Sequence, residues 1–138
     1  MEWRLELVLL PVADVDRAKA FYVDQLGFRL DVDHTAGEHF RVVQMTPRGS
    51  ACSIGVGIGI TGKPPGSVEG LHLIVGDIEA ARADLVKRGV QPSEIFHFGP
   101  GGRETGLDPE RRDYGSFLGF ADPDGNTWVV QEVRTPTR

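Results

Sequence analysis

An internal repeat is the feature of this chain that most constrains its fold. The phrase Val12-x-Asp14 recurs as Val75-x-Asp77. In both copies an apolar stretch precedes the phrase, and a helical pattern follows it, capped by the aspartate and ended by a glycine. A strand and a helix that occur twice in this order predict two related structural modules that share one core.

A turn and the strand after it form the second repeated feature. The sequence Asp122-Pro-Asp-Gly-Asn126 precedes the apolar stretch 127–133, and Thr46-Pro-Arg-Gly-Ser50 precedes a weaker stretch, 51–54. Proline presets φ, glycine supplies a positive φ, and Asp and Asn side chains bond the turn backbone. Because 127–133 is β-branched or aromatic with few breaks, we expect a central strand buried on both faces.

The remaining pattern completes each copy as βαβββ. We expect a single domain, 1–138, with a first module at 5–56, a Gly- and Pro-rich linker at 57–69 and a second module at 70–133. The predicted elements of the first module are a strand at 5–12, a helix at 15–26 and strands at 28–33, 40–45 and 51–56. Those of the second are a strand at 71–75, a helix within 77–89 and strands at 93–98, 114–121 and 127–133.

The second copy contains an insertion, which we place at 97–113, a segment rich in Gly, Pro, Arg and acidic residues. Long loops in compact domains are often lids over a ligand, and a disordered, solvated loop is the alternative. In the lid interpretation the loop contributes Arg103, Arg111 and Arg112, together with Tyr114 beside it.

Composition limits the classes of function. A chain of 138 residues with 40% apolar and 25% charged residues has the balance of a water-soluble domain. No apolar run approaches the ~20 residues that span a bilayer, and the start of the chain lacks a secretory pattern, so we expect a cytoplasmic protein with no membrane partner. A net charge of −5 argues against nucleic acid and favours a small-molecule ligand.

The order and spacing of these elements resemble the vicinal oxygen chelate superfamily, which includes glyoxalase I, extradiol dioxygenases and bleomycin-resistance proteins. The resemblance rests on Val12-x-Asp14-x-Asp16 leading to Phe21-Tyr22, and on Asp122-Pro-Asp-Gly-Asn126. It implies an α+β fold in which two βαβββ modules form a curved mixed-sheet cup with helices on the outer face. It also implies a homodimer.

The resemblance further implies four places for metal ligands, which are Leu7, Ser53, Gly70 and Val129 in this chain. None of these side chains is the His, Gln or Glu that a divalent cation of the family would require. We therefore expect no metal and no cofactor, and a divalent metal held elsewhere is the alternative.

Two positions further along the same strands stand Leu9, Gly55, His72 and Gln131. Because side chains alternate with a period of two, these residues should face the same side as the family's ligand places. His72 and Gln131 are thus the best polar pair. The alternatives are that His72 is hydrogen-bonded in the interior and that Gln131 ties two strands together. Glu132 should point to the other face.

The expected pocket combines an apolar wall with a few polar groups. Arg41 is included as a pocket residue because it is the repeat counterpart of Phe117. The alternative is that its side chain reaches solvent at the rim. The wall residues are Leu7, Leu9, Phe117, Gly119 and Val129, and the ligand-orienting residues are His72, Gln131, Arg41 and Tyr114.

Three functional hypotheses follow. The first is a metal-free binding protein, similar to the bleomycin-resistance branch, that holds an aromatic or amphipathic ligand in an apolar cleft. The second is a glyoxalase- or dioxygenase-like metal-dependent lyase or oxidoreductase that uses His72 and Gln131. The third is a metal-free enzyme with His72 as a general base.

Overall fold

The computed structural model describes residues 1–135. The chain forms two compact units: Met1–Val68 together with Asp122–Asn126, and Glu69–Ala121 together with the chain from Thr127. None of the helices within residues 1–135 has the length and apolar composition needed to cross a bilayer.

The first unit contains a four-stranded mixed sheet in the order β1-β4-β3-β2, with β1 parallel to β4 and the other pairs antiparallel. The expected βαβββ order is therefore present. The elements are β1 (Leu7–Leu9), α1 (Val15–Ala20), β2 (Arg29–Thr35), β3 (Arg41–Thr46) and β4 (Ser53–Ile58). Since β4 extends to Ile58, the start of the predicted linker belongs to a strand.

Helix α1 begins as the sequence predicts, because the Asp14 side chain accepts a hydrogen bond from the backbone N–H of Arg17 at 3.0 Å. After Ala20 the helix widens into a π-helical turn, Phe21–Gln25. This turn places the fully buried Tyr22 in the core, where its hydroxyl donates a hydrogen bond of 2.8 Å to Asp122.

The turn 122–126 belongs to the first unit through its side chains. Asp122 Oδ1 accepts hydrogen bonds from the backbone N–H groups of Asp124 and Asn126, and Gly125 adopts a φ of 101°. The buried Asn126 amide then donates to the carbonyl of Pro11 at 3.0 Å. The turn chemistry predicted from the sequence is therefore used both within the turn and to attach it to the first unit.

The second unit contains a five-stranded mixed sheet in the order β5-β9-β8-β6-β7, in which only β5 and β9 are parallel neighbours. Helix α2 is capped by Asp77, whose side chain accepts from the N–H of Ala80 at 3.1 Å. The elements are β5 (Leu71–Val75), α2 (Ile78–Lys87), β6 (Phe96–Gly99), β7 (Gly102–Thr105), β8 (Phe117–Ala121) and β9 (Thr127–Glu132).

The inserted segment starts with a β-hairpin, which was not predicted from the sequence. Strands β6 and β7 pair from Phe96 with Thr105 to Gly99 with Gly102. The chain before β6 runs beside β8, where the backbone N–H of Ser93 donates to the carbonyl of Gly119 at 2.8 Å. The predicted strand at 93–98 therefore begins only at Phe96.

Strand β9 was expected to be buried on both faces, and this expectation is wrong. Trp128, Val130 and Glu132 are 3%, 3% and 0% exposed, whereas the alternate residues Val129 and Gln131 are half-buried. The strand thus has one face packed in the core and a second, more accessible face. The sequence hides this because both faces carry valine.

Candidate functional site

Most of the predicted site residues lie on one face of the second sheet. We call it the open face, and the other face carries Leu118, Val130 and Glu132. Residues paired across neighbouring strands project to the same side of a sheet, and side chains alternate along each strand. The register pairs His72 with Val129 and Gly119 with Val129, and it pairs Phe117 with Gln131. The open face therefore carries His72, Phe117, Gly119, Val129 and Gln131.

An aromatic cluster covers one end of this face. The rings of Phe96 and Phe117 stack with centroids 5.5 Å apart and an interplanar angle of 16°. Phe98 meets Phe117 edge-on at 5.3 Å, and its side chain is 59% exposed. Offset or edge-on aromatic pairs are stabilising arrangements, and an exposed ring beside them offers a flat apolar contact surface.

Phe96 and Phe98 are candidate site residues that were not predicted from the sequence. They alternate along one predicted strand, which indicated that they share a face. The face could not be assigned from the sequence, because β6 joins β8 through a single bridge, Phe96 with Phe117.

A cavity of about 520 Å³ lies on the open face beside the aromatic cluster. Gly119 leaves space there, since an added Cβ would meet only the Trp128 carbonyl oxygen, at an ordinary contact distance of 3.6 Å. The cavity is lined by Gln91, Pro92, Ser93, Phe96, Arg103, Gly119, Phe120, Ala121, Thr127, Trp128 and Val129. Its size is within the range of small-molecule pockets.

His72 and Gln131, two polar residues of the open face, are diagonal neighbours, since Val129 lies opposite His72 and Ile74 lies opposite Gln131. The His72 side chain is exposed, and its Nδ1 lies 2.6 Å from the Gly70 carbonyl oxygen. The alternative of an interior, hydrogen-bonded histidine is therefore wrong. Within residues 1–135, the Gln131 side chain makes no hydrogen bond, so it is available to a ligand.

The residues at the family's ligand places do not fit a metal ion. Ser53 instead shares a hydrogen bond of 2.7 Å with Thr46 Oγ1, and Leu7, Gly70 and Val129 carry no donor side chain. Glu132, the residue after Gln131, lies on the buried face with its Oε2 accepting from the N–H of Ile78. No group of three His, Cys, Asp or Glu side chains with a metal-binding arrangement occurs in the described part of the chain.

In the first unit, Leu7 and Leu9 share one face of the sheet and lie over Gly55, where an added Cβ would meet them at 3.4 and 3.1 Å. Arg41 lies on the other face, with the buried Val43, and this corrects its expected orientation. Its guanidinium binds both carboxylate oxygens of Asp33, at 3.1 and 2.9 Å.

Asp16 of helix α1 adds a third contact to Arg41, at 2.8 Å. The guanidinium in turn holds the pKa of Asp33 well below its ordinary value. Three of the five guanidinium N–H donors of Arg41 are thus bound to carboxylates on this face of the sheet.

The register explains why the repeat misplaced Arg41. Paired residues of β3 and β4 are separated by an odd number of positions, as in Met45 with Ile54, and those of β8 and β9 by an even number, as in Ala121 with Thr127. A residue of β3 and the residue of β8 that the repeat aligns with it therefore lie on opposite faces of their sheets.

Tyr114 is 47% exposed and has a positive φ of 66°, and its backbone N–H donates to the carbonyl of Glu132 at 2.8 Å. It is not among the residues that line the cavity. Its role as a ligand contact stays a prediction.

Comparison with known proteins identifies the family. The model of the Glyoxalase/Bleomycin resistance protein/Dioxygenase superfamily matches residues 4–130. The crystal structure of TnmS3, an antibiotic binding protein from Streptomyces sp. CB03234, is 32% identical, with 96% of this chain and 97% of that chain covered and a TM-score of 0.75.

Two further solved structures agree with this assignment. A glyoxalase/bleomycin resistance protein from Streptomyces sp. CB03234 is 34% identical, with 94% of this chain and 100% of that chain covered and a TM-score of 0.70. A superfamily member from Sphaerobacter thermophilus DSM 20745 is 28% identical, with coverages of 95% and 98% and a TM-score of 0.72. The chain therefore belongs to the Glyoxalase/Bleomycin resistance protein/Dioxygenase superfamily.

Proposed function

We propose that this protein binds a small aromatic or amphipathic molecule on the open face of its second unit and that it does so without a metal. The observation that carries the proposal is the aromatic cluster Phe96, Phe98 and Phe117 beside a cavity with Gly119 in its lining. The likeness to TnmS3, an antibiotic binding protein, supports the same class of function.

The chemistry of the face suits an apolar ligand with a few polar atoms. Stacking on Phe98 and Phe117 removes flat apolar surface from water, which is the main source of affinity in such pockets. The unbonded Gln131 amide offers both a donor and an acceptor for orientation. His72 and Gln131 supply no carboxylate, so they are a poor donor set for Mg²⁺ or Mn²⁺. Zn²⁺ ordinarily takes three or four protein ligands.

A second candidate function is metal-free general-base catalysis by His72. One observation favours it: Nδ1 faces the Gly70 carbonyl, so the tautomer with a proton on Nδ1 leaves Nε2 as an acceptor. A ligand on the open face would then meet a base with a fixed orientation. Substrate turnover by chelator-treated protein that is lost in His72→Ala would support this function over binding alone.

The binding proposal is tested by thermal unfolding of chelator-treated protein against a panel of two- and three-ring aromatic compounds. A ligand at about a hundred times its dissociation constant should add about 2.7 kcal/mol to the free energy of unfolding. Phe98→Ala should reduce the rise, whereas Val86→Ala, which truncates another exposed apolar side chain, should leave it unchanged. A rise that is equal in both variants, or no rise with any compound, would contradict the proposal.

We also propose that the chain forms a homodimer. Members of this fold commonly pair, and the chain exposes large apolar side chains, with Trp3 at 90% and Leu5 at 71% exposure. Light scattering at micromolar concentration should give twice the 15.1 kDa chain mass. A monomeric mass would contradict this proposal and leave the binding proposal intact. The cytoplasmic location stays a prediction.

A further inference from the structure

The Arg103 guanidinium lies over a ring of the aromatic cluster, at the edge of the cavity. Its guanidinium carbon is 3.6 Å from the centroid of the Phe96 ring. The β6–β7 hairpin produces this contact, because Arg103 lies opposite Phe98 and so projects to the face that carries Phe96 and Phe98. A guanidinium over an aromatic ring makes this contact without using its N–H donors, which lie around the edge of the planar group.

These donors are unused. Across residues 1–135, the Arg103 side chain makes no hydrogen bond and no ion pair, whereas Arg41, Arg111 and Arg112 each bind carboxylates. The neighbouring Glu104 does not neutralise it, since Glu104 lies opposite His97 and its Oε2 is 3.2 Å from His97 Nε2.

The electrostatic character of the cavity follows from this arrangement. Arg103 is charged, and the residues that line the cavity include no carboxylate. The whole chain has a net charge of −5, so a positive group here is a local feature. A guanidinium fork beside an apolar wall matches a carboxylate or a similar planar anion, to which it donates two parallel hydrogen bonds.

We propose that the cavity selects planar aromatic ligands that carry an anionic group, with Arg103 as the residue that recognises the anion. The aromatic part stacks beside Phe98 and Phe117, and the anion binds the N–H donors of Arg103. This inference rests on the proposed binding function. It adds that the ligand is anionic and that Arg103 recognises the anion.

The test compares 2-naphthoate with 2-naphthamide, which have the same ring system and differ in charge. Isothermal titration calorimetry on chelator-treated protein at low ionic strength should show naphthoate binding more tightly. Arg103→Gln should weaken naphthoate by about fivefold or more, the loss of a charge-assisted contact, and leave naphthamide unchanged. Arg103→Lys, which keeps the charge and loses the planar fork, should give an intermediate affinity.

Arg4→Gln controls for the change in net charge, because it removes an arginine that is 86% exposed in the first unit. It should leave both affinities unchanged. Added salt should weaken naphthoate in the wild type and have little effect on naphthamide.

Two outcomes overturn the inference while the proposed function stands. One is equal binding of the two compounds to the wild type. The other is an Arg103→Gln variant that weakens both compounds equally, which would mean that Arg103 only supports the aromatic wall. If neither these compounds nor other aromatic ligands bind the wild type, the proposed function fails and this inference fails with it.

Discussion

Arg111 and Glu132 form a bidentate ion pair in which Nε donates to Oε1 and Nη2 donates to Oε2, both at 2.8 Å. Glu132 is completely buried, and its Oε2 also accepts from the N–H of Ile78 at the start of helix α2, at 2.9 Å. The pair therefore joins the inserted loop, strand β9 and helix α2. The alternative of a solvated, disordered loop does not describe this end of the insertion.

The first prediction concerns the stability of this junction. The Arg111 guanidinium and, to a lesser extent, the Ile78 N–H hold the pKa of Glu132 below its ordinary value of 4.5. A lowered pKa in the folded state means stability that is present above pH 4.5 and lost as the pH falls below it. Glu132→Gln should reduce the free energy of unfolding at pH 7 by about 2 kcal/mol, measured by urea denaturation.

Glu79→Gln is the matched control, because Glu79 contacts the same guanidinium at 3.5 Å from a side chain that is 61% exposed. It should change stability little. The Glu132→Gln variant should also lose less stability than the wild type between pH 5 and pH 3. If Glu132→Gln lost as much stability as the wild type between pH 5 and pH 3, the ion pair would not stabilise the fold.

The parts of the fold that local chemistry determines were predictable from the sequence. Asp14 and Asp77 cap their helices as their side-chain chemistry predicts, and strand β5 has the predicted bounds, Leu71–Val75. The alternation of side chains also placed His72 and Gln131 on one face of their sheet. These features depend on neighbours a few positions away, which a single sequence contains.

The parts that failed depend on pairing between distant segments. Arg41 was assigned to the wrong face because the register of β3 with β4 cannot be read from a repeat offset. Strand β7 was missed because Gly102–Thr105 has little strand propensity, and it forms only by pairing with β6. The stacking of Arg103 on Phe96 follows from that pairing, so the sequence could not predict it either.

The second prediction concerns Gly66, which lay in the predicted linker. Its φ is 79°, and an added Cβ would lie 2.1 Å from the carbonyl oxygen of Asp124. Gly66→Ala should therefore destabilise the first unit by about 2 kcal/mol or more, because both the backbone and the turn 122–126 must shift. Thermal unfolding followed by circular dichroism measures this effect.

Gly62→Ala provides the comparison within the same segment, since an added Cβ there would meet nothing within 4 Å. This substitution should be close to neutral. Equal effects of the two substitutions would mean that the segment does not pack on the turn.

The third prediction concerns metals. We expect that Zn²⁺, Ni²⁺, Mn²⁺, Fe²⁺ and Mg²⁺, each added to chelator-treated protein, produce no rise in unfolding midpoint that depends on His72. The reason is the donor set, since His72 and Gln131 supply no carboxylate and Glu132 is bound to Arg111 on the opposite face. A cation at about a hundred times its dissociation constant would add about 2.7 kcal/mol, so the effect would be large.

His39→Ala controls for adventitious binding, because His39 is an exposed histidine of the first unit. A cation-dependent rise that His72→Ala abolishes and His39→Ala preserves would contradict the metal-free account. It would favour the metal-dependent lyase or oxidoreductase hypothesis.

The fourth prediction tests the central claim, that a ligand occupies the cavity on the open face of the second unit. Gly119→Leu should place a bulky side chain in the cavity, because Gly119 lines the cavity and the nearest atom to an added Cβ is 3.6 Å away. Gly76→Leu adds the same side chain to the same unit at an exposed position with nothing within 4 Å of an added Cβ.

The most direct measurement is calorimetric titration of chelator-treated wild type, Gly119→Leu and Gly76→Leu with an aromatic compound that stabilises the wild type. We predict that Gly119→Leu loses at least about tenfold in affinity, or 1.4 kcal/mol, and that Gly76→Leu binds as the wild type does. Undiminished binding by a folded Gly119→Leu variant would contradict the account, because the ligand would then lie outside this cavity.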